Sequence, residues 1–167
     1  MQPHPFRVAW EARDPDAVAA CFTPDGEFHS PVIGAAVIRG RHAIAELMRV
    51  VMDSTSASHF TDELREDERL VLRFHTEFNR RPVQGVVWLD LTEDDQVREL
   101  WAFTRPLTGV VAVQVAMAEG LLRRQSSILG VVTRVGLRPL VVIAGLVERI
   151  GSLVIRRLNK EQPRQLP

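Results

Sequence analysis

The chain has 167 residues, of which 46% are hydrophobic and 25% charged, a composition typical of a globular protein with one sizeable core. Its 21 basic and 21 acidic residues cancel, and the single cysteine, Cys21, excludes an internal disulfide and a multi-cysteine zinc site. The first ten residues lack the charged start and apolar run of a signal peptide, so we expect a cytoplasmic location.

The N-terminal third has the pattern of helices. Apolar residues recur at near-helical spacing through residues 9–22, with a break at Asp14-Pro15, so we predict two short helices. Pro24-Asp25-Gly26 predicts a turn, followed by a short extended run at residues 27–30. Residues 41–54 predict an amphipathic helix, whose buried stripe comprises Ile44, Leu47, Met48, Val51 and Met52.

Residues 57–106 change to the alternating pattern of strands. Four runs have strand length: HFTDELRE, RLVLRFHTEF, VQGVVWLDL and VRELWAFTR. Their connections at residues 66–68, 79–81 and 93–96 are too short for parallel crossovers, so we predict an antiparallel meander. Helices followed by a meander indicate an α+β fold in which the helices cover one face of a curved sheet.

The C-terminal part differs in charge from the rest. Residues 1–120 carry a net charge of −7, whereas residues 121–167 carry +7. We predict a domain over residues 1–120 and a basic, apolar helical extension over residues 121–167, with breaks near Gly130 and at Arg138-Pro139. Its last part has an apolar stripe that includes Val142, Leu146 and Ile150. The extension could pack on protein, cap a pocket or lie on an anionic membrane.

The order of these segments resembles a known family. WEARDPDAVAACFTPDGEFHSPVIG, then IRGRHAIAELM, HFTDELREDERLVLRF, QGVVWLDL and VRELWAFTRPL are similar to the SnoaL-like branch of the nuclear transport factor 2-like superfamily. The resemblance covers about residues 6–118. It implies an α+β cone with a strongly curved antiparallel sheet, a pocket between the sheet and the helices, and dimerisation through the outer sheet face in many members. Members include cyclases, isomerases, hydrolases and proteins that only bind ligands.

Alternation along the strands separates an inner, pocket face from an outer face. We predict that a ligand contacts Trp10, Phe28, Phe60, Leu64, Leu72, Phe74, Thr76, Val87, Leu89, Ala102 and Thr104. The outer face would then carry the aromatic patch of Val86, Trp88, Trp101 and Phe103, which we predict to form a homodimer interface. The alternatives are that the C-terminal extension covers this patch, or that the two tryptophans point into the pocket.

Two residues are candidates for proton transfer. Asp62 falls on the predicted inner face between Phe60 and Leu64, where burial would raise the pKa of its carboxyl group. His29 lies on the short extended run, where it could orient or protonate a substrate oxygen. Structural roles for both remain open. The resemblance places an acidic residue of many relatives at Val87, and a valine cannot transfer a proton.

The sequence therefore leaves three functional hypotheses. The first is a pocket protein that binds a small apolar or polycyclic molecule, and the second is a cofactor-independent cyclase, isomerase or hydrolase that uses Asp62. The third is a scaffold or membrane-surface subunit that acts through its C-terminal helices. The absence of tyrosine disfavours a phenolic oxyanion site. We predict no metal, no cofactor and no nucleic-acid partner, since ligand spacings, a phosphate loop and base-stacking aromatics are missing.

Overall fold

The computed structural model describes residues 2–31, 37–56, 58–78, 81–111, 113, 139 and 142–153. Their elements follow in the order α1 (Pro5–Glu11), α2 (Pro15–Ala20), β1 (Phe22–His29), β2 (Val37–Arg39), α3 (Arg41–Ser54), β3 (His59–Glu66), β4 (Arg69–Phe78), β5 (Arg81–Leu91) and β6 (Val97–Arg105). Residues 107–111 and 142–153 are also helical. We call residues 142–153 the C-terminal helix.

The N-terminal helices begin at prolines that are capped by the preceding residue. At α1 the Nδ1 atom of His4 accepts a hydrogen bond from the Phe6 N–H, and at α2 an Asp14 carboxylate oxygen accepts two, from the N–H groups of Asp16 and Ala17. Helix α1 therefore starts at Pro5, before the periodic pattern predicted. Helix α3 has the predicted bounds and buries most of its predicted stripe.

The sheet has six strands in the order β2-β1-β6-β5-β4-β3. Strands β3 to β6 form the predicted antiparallel meander. The prediction of an antiparallel sheet is wrong at one pairing, because β1 lies parallel to β6. The connection between β1 and β6 contains β2, α3 and strands β3 to β5. It is long enough for β6 to run in the same direction as β1, which a short hairpin connection would not allow.

Strand β1 corrects a second prediction. Residues 24–26 lie inside the strand and not in a turn, and the register against β6 shifts between Phe22 and Glu27. Strand β2, which the sequence pattern did not predict, pairs antiparallel with the end of β1. A bulge thus accommodates the turn-forming residues without ending the strand.

The inner face of the meander packs against the helices, as predicted from alternation. Leu70, Leu72, Val87, Leu89 and Leu100 are almost completely buried there. They form one hydrophobic core with residues of all three helices, among them Phe6, Trp10, Val18, Ile44, Leu47 and Met48. The core therefore defines the inner sheet face, between which and the helices a ligand could bind, and the outer sheet face, which points away from the helices.

The C-terminal helix lies against the start of helical residues 107–111. Both carboxylate oxygens of Glu148 accept hydrogen bonds from Thr108, one from its N–H and one from its hydroxyl, each at 2.7 Å. Most of the predicted apolar stripe of this helix points away from the body, and its side chains are more than half exposed. The predicted boundary at residue 120 and the breaks near Gly130 and before Pro139 lie outside the described residues. None of the described helices has the length and hydrophobicity needed to cross a bilayer.

Candidate functional site

An apolar cavity lies between the helices and the inner sheet face. It has a volume of about 70 Å³. Its walls come from α1, α3, β1, the three strands β4 to β6 and the helical residues that follow β6. Its lining comprises Trp10, Phe28, Pro31, Met48, Val51, Thr55, Ser58, Phe74, Thr76, Val83, Val87, Ala102, Thr104, Val110 and Val113. This described lining contains no charged side chain and no imidazole.

Four hydroxyl groups provide the polarity of the apolar cavity. The Thr55 hydroxyl donates to the Val51 carbonyl at 2.8 Å, and the Thr76 hydroxyl donates to the Ser56 carbonyl at 3.1 Å. Ser58 is buried, and Thr104 is half-buried. Neither of these two hydroxyls makes a hydrogen bond with the described part of the chain. Ser58 and Thr104 are therefore the groups available to a polar atom of a ligand.

Most of the predicted ligand contacts surround this cavity. Seven of them line it: Trp10, Phe28, Phe74, Thr76, Val87, Ala102 and Thr104. Phe60, Leu72 and Leu89 are buried in the adjacent core but do not line the cavity. Leu64 was placed on the wrong face, because it pairs with Val71 on the outer face and is exposed.

The inner-face placement of Asp62 is also wrong. Strand β3 contains a bulge at Thr61, so that Phe60 pairs with Phe74 but Asp62 pairs with Arg73. The extra residue reverses the side to which every later side chain points. Asp62 is 54% exposed, lies 3.6 Å from the Arg73 guanidinium, and accepts a hydrogen bond from the Thr61 hydroxyl. It points away from the cavity, so burial among apolar residues cannot prepare it for proton transfer.

The bulge places Glu63 on the inner side in its stead. Its side chain is 13% exposed and accepts hydrogen bonds from the Arg7 guanidinium at 3.2 Å and from the His4 N–H at 3.0 Å. Arg7 also donates to the Phe60 carbonyl. These contacts attach α1 to β3. The carboxylate of Glu63 therefore has a structural role and is not free to contact a ligand. Alternation alone could not identify Glu63, because the bulge has no signal in the sequence.

His29 is likewise outside the cavity. It pairs with Trp101 across the parallel β1–β6 pairing, and the two rings stack with centroids 3.7 Å apart. Its Nε2 atom lies 3.4 Å from a Glu27 carboxylate oxygen and 3.7 Å from one of Glu99. The outer-face environment of His29 therefore consists of one indole and two carboxylates, which gives it no access to a ligand in the cavity.

His4 is the buried histidine of the structure, and no pattern in the sequence singled it out. Burial lowers the pKa of its imidazole, with a smaller opposing effect from its contact with the Asp95 carbonyl. Since Nδ1 accepts the Phe6 N–H, Nε2 carries the proton and donates to the Asp95 carbonyl at 3.2 Å. Asp95 in turn pairs with Arg65, whose hydrogen bond lowers the pKa of the Asp95 carboxyl group. His4 is thus a neutral helix cap.

The four residues of the predicted aromatic patch share the outer face. Val86 pairs with Phe103, and Trp88 pairs with Trp101, across β5 and β6. Trp88, Trp101 and Phe103 are exposed, which excludes the alternative that the tryptophans line the cavity. The indole N–H of Trp88 donates to Asp90 and that of Trp101 donates to Glu99, so the two indole rings lie beside acidic residues.

A six-stranded mixed sheet, covered on one face by three helices with an apolar cavity between them, defines an α+β fold of the nuclear transport factor 2-like class. The class also agrees with solved structures of similar fold. The chain belongs to the SnoaL-like domain family, whose model matches residues 5–100.

Three solved structures are similar to more than half of the chain. A steroid delta-isomerase from Pseudomonas aeruginosa is similar with a TM-score of 0.65 and 18% identity, over 72% of this chain and 88% of that one. A protein with a cystatin-like fold from Silicibacter pomeroyi DSS-3 gives 0.66 and 20%, over 78% and 93%. The epoxide hydrolase/cyclase-like enzyme SalBIII gives 0.52 and 19%, over 60% and 84%. At these identities the likeness shows the fold alone. The search of curated proteins returned no match.

Among the described residues, no charged side chain lines the apolar cavity. No group of three or more His, Cys, Asp and Glu side chains among them could hold a metal ion. Asp62 and His29, the two residues predicted to transfer protons, lie on the outer face, and the inner-side Glu63 is already bonded to Arg7 and His4. The apolar cavity can therefore enclose an apolar group of a ligand, and the hydroxyls of Ser58 and Thr104 can hydrogen bond to a polar atom of the same ligand.

Proposed function

We propose that the protein binds a small apolar molecule in the cavity between the helices and the inner sheet face. The observation that carries this proposal is the cavity's lining, in which Trp10, Phe74, Val87 and Ala102 surround the space and no described residue is charged. Burial of an apolar group there is favourable by roughly 25 cal/mol per Å² of apolar surface removed from water.

The cavity volume restricts the size of the ligand. At about 70 Å³ the cavity is much smaller than the 300 Å³ or more that is typical for drug-sized ligands. This favours a small molecule, such as one with a single ring, over a polycyclic one. Ser58 and Thr104 would hydrogen bond to one polar atom of that molecule, which gives the site a preference for an oxygen at one end of the ligand.

Filling the cavity tests this proposal. We expect toluene, used as a small apolar probe, to give saturable shifts of the Ala102 and Val87 methyl signals in NMR spectra. Ala102→Leu should abolish the shift of the Val87 signals, because the larger side chain occupies the space. Ala20→Leu, at an exposed position of α2, is the matched control and should bind as the parent does. Equal binding by Ala102→Leu, or no saturable binding by the parent, would refute the proposal.

Catalysis by proton transfer is the weaker candidate. It draws support from the names of two similar structures, a steroid delta-isomerase and an epoxide hydrolase/cyclase-like enzyme. Against it stand the exposed position of Asp62 and the outer position of His29. Val87, where the resemblance places an acid, lines the cavity with an alkyl side chain. A binding function needs none of these groups to transfer a proton.

We also propose that two copies associate through the outer sheet face. Support comes from Val86, Trp88, Trp101 and Phe103, which form a contiguous band across β5 and β6. Exposed aromatic bands of this kind are typical of protein interfaces, because their burial removes large apolar areas from water. Leu64 and Val71 continue the band on β3 and β4.

Sedimentation velocity tests the association. We expect the parent to sediment as a dimer and Phe103→Lys to sediment as a monomer, since a buried lysine without a partner opposes the contact. Val8→Lys, which changes an exposed apolar residue of α1, should remain dimeric. A monomeric parent, or a dimeric Phe103→Lys, would contradict the proposal.

The exposed stripe of the C-terminal helix supports a further role at a membrane surface. Val142, Leu146 and Ile150 are more than half exposed, and the extension to which they belong is basic. An apolar stripe with basic flanks binds anionic lipid. We expect flotation with phosphatidylserine-containing liposomes to be lost in Ile150→Glu and kept in Ser152→Glu. If the parent does not float, the role is excluded.

A further inference from the structure

A second, larger cavity lies at one end of the outer sheet face. It is an open groove of about 520 Å³, which we call the outer groove. Its lining is more polar than that of the apolar cavity and comprises Ser56, His59, His75, Thr76, Glu77, Pro82, Val83, Gln84, Arg105 and Pro106. None of the four residues of the proposed dimer interface contributes to it.

Four side chains of the outer groove form a row across the sheet. His59 pairs with His75 on the next strand, His75 with Gln84, and Gln84 with Arg105. Direct cross-strand partners point to the same face, and neighbouring strands lie about 4.8 Å apart. The row therefore places two imidazoles, a carboxamide and a guanidinium side by side, and each of them has at least one N–H group to donate.

These donors have no partner in the part of the chain that the structure describes. The side chains of His59, His75, Gln84 and Arg105 take part in none of the hydrogen bonds or ion pairs found there. Nearby arginines behave differently, since Arg73 and Arg98 each lie within 4 Å of a carboxylate. An unpaired guanidinium beside three further donors can be satisfied by water or by an anionic ligand.

We propose that the outer groove binds the carboxylate of a small organic acid. The guanidinium of Arg105 has the fork geometry that matches a carboxylate, and the neighbouring Gln84 and His75 donate to its remaining lone pairs. Glu77, which lines the same groove two residues from His75, opposes additional negative charge. A monoanionic carboxylate is therefore preferred over a phosphate dianion. The groove has room for the body of a ligand the size of an aromatic acid.

The site is separate from the proposed apolar site. The two cavities share Thr76 and Val83 in their linings, but the donor row belongs to the outer groove alone. Ala102→Leu should therefore abolish toluene binding and leave binding to the outer groove unchanged. Failure of one proposal does not entail failure of the other.

Benzoate and benzamide provide a matched pair of probes, because they have similar shape and only benzoate is charged. We expect benzoate to shift the ring signals of His59 and His75 in ¹H–¹³C NMR spectra, at constant ionic strength, while His4, His29 and His42 serve as internal references. The apparent affinity for benzoate should be at least about tenfold higher than that for benzamide, as charge-assisted hydrogen bonds predict.

Two variants and one control make the assignment specific. Arg105→Gln should remove the tenfold preference for benzoate, whereas Arg98→Gln, an exposed arginine at the other end of the same strand, should retain it. Should Arg105→Gln fail to fold, Gln84→Glu gives the same test by adding a carboxylate to the row, and it should also remove the preference. A preference kept in the folded variants, signals that do not shift, or tighter binding of inorganic phosphate than of benzoate would overturn the proposal.

Discussion

Gly85 lies on β5, between β4 and β6, and an added methyl group at this position would have no space. A Cβ atom at this position would lie 2.3 Å from the Phe103 carbonyl oxygen and 2.9 Å from the Phe74 ring. Ordinary contacts begin at 3.4 Å, so the backbone of β6 would have to move by about 1 Å. The Phe74 ring cannot move freely either, because it packs against Phe60.

We therefore expect Gly85→Ala to lower the free energy of unfolding by about 3 kcal/mol, the upper part of the range for overpacking, because the obstruction is backbone. For a chain of this length the melting temperature should fall by roughly 6–12 °C. Urea unfolding followed by circular dichroism measures the change. Gly151→Ala, where the added methyl group meets nothing within 4 Å, is the control and should match the parent within about 1 kcal/mol. A Gly85→Ala protein of parental stability would refute the close packing of β5 between its neighbours.

Three further predictions concern single side chains. Asp62→Asn should change the free energy of unfolding by less than about 0.5 kcal/mol, since its ion pair is exposed, whereas Glu63→Gln should lower it by about 1–3 kcal/mol in urea titrations; equal effects would contradict the bulge. The pKa of His4 is lowered in the folded state, so the contribution of its neutral form to the free energy of unfolding is complete above about pH 6.5 and is lost as the pH falls below that value. His4→Asn should flatten the dependence of the free energy of unfolding on pH in this range. An unchanged slope would contradict a buried neutral cap. Glu148→Gln should weaken the contact with Thr108 and raise amide exchange in residues 142–153 by roughly tenfold in mass spectrometry, while Arg149→Gln should not.

Local patterns were sufficient to predict the larger part of the fold. The apolar spacing of residues 41–54 determines α3, because a helix with one apolar stripe is stabilised by burying that stripe against any apolar surface. Alternation in β4, β5 and β6 likewise assigned Leu72, Val87 and Trp88 to the correct faces. These strands are long and regular, so a side chain's face follows from its position alone.

The site residues depended on contacts that a linear pattern does not contain. A single extra residue at Thr61 turns Asp62 outward and Glu63 inward, and its position is set by the pairing of Phe60 with Phe74 and of Asp62 with Arg73. The face of His29 depends in the same way on the parallel pairing of β1 with β6, two strands that are distant in sequence.

The amino-acid pattern alone specified an α+β fold with an apolar inner sheet face and an aromatic outer face. It did so because both features repeat with the periods of helix and strand. Tertiary packing decided that the cavity is small, with no charged side chain in its described lining, and that a row of donors without a partner among the described residues crosses the outer sheet face. The size of the cavity depends on the distance between α3 and the sheet, and the donor row depends on the registers of β3 to β6. Neither quantity is encoded in any one segment.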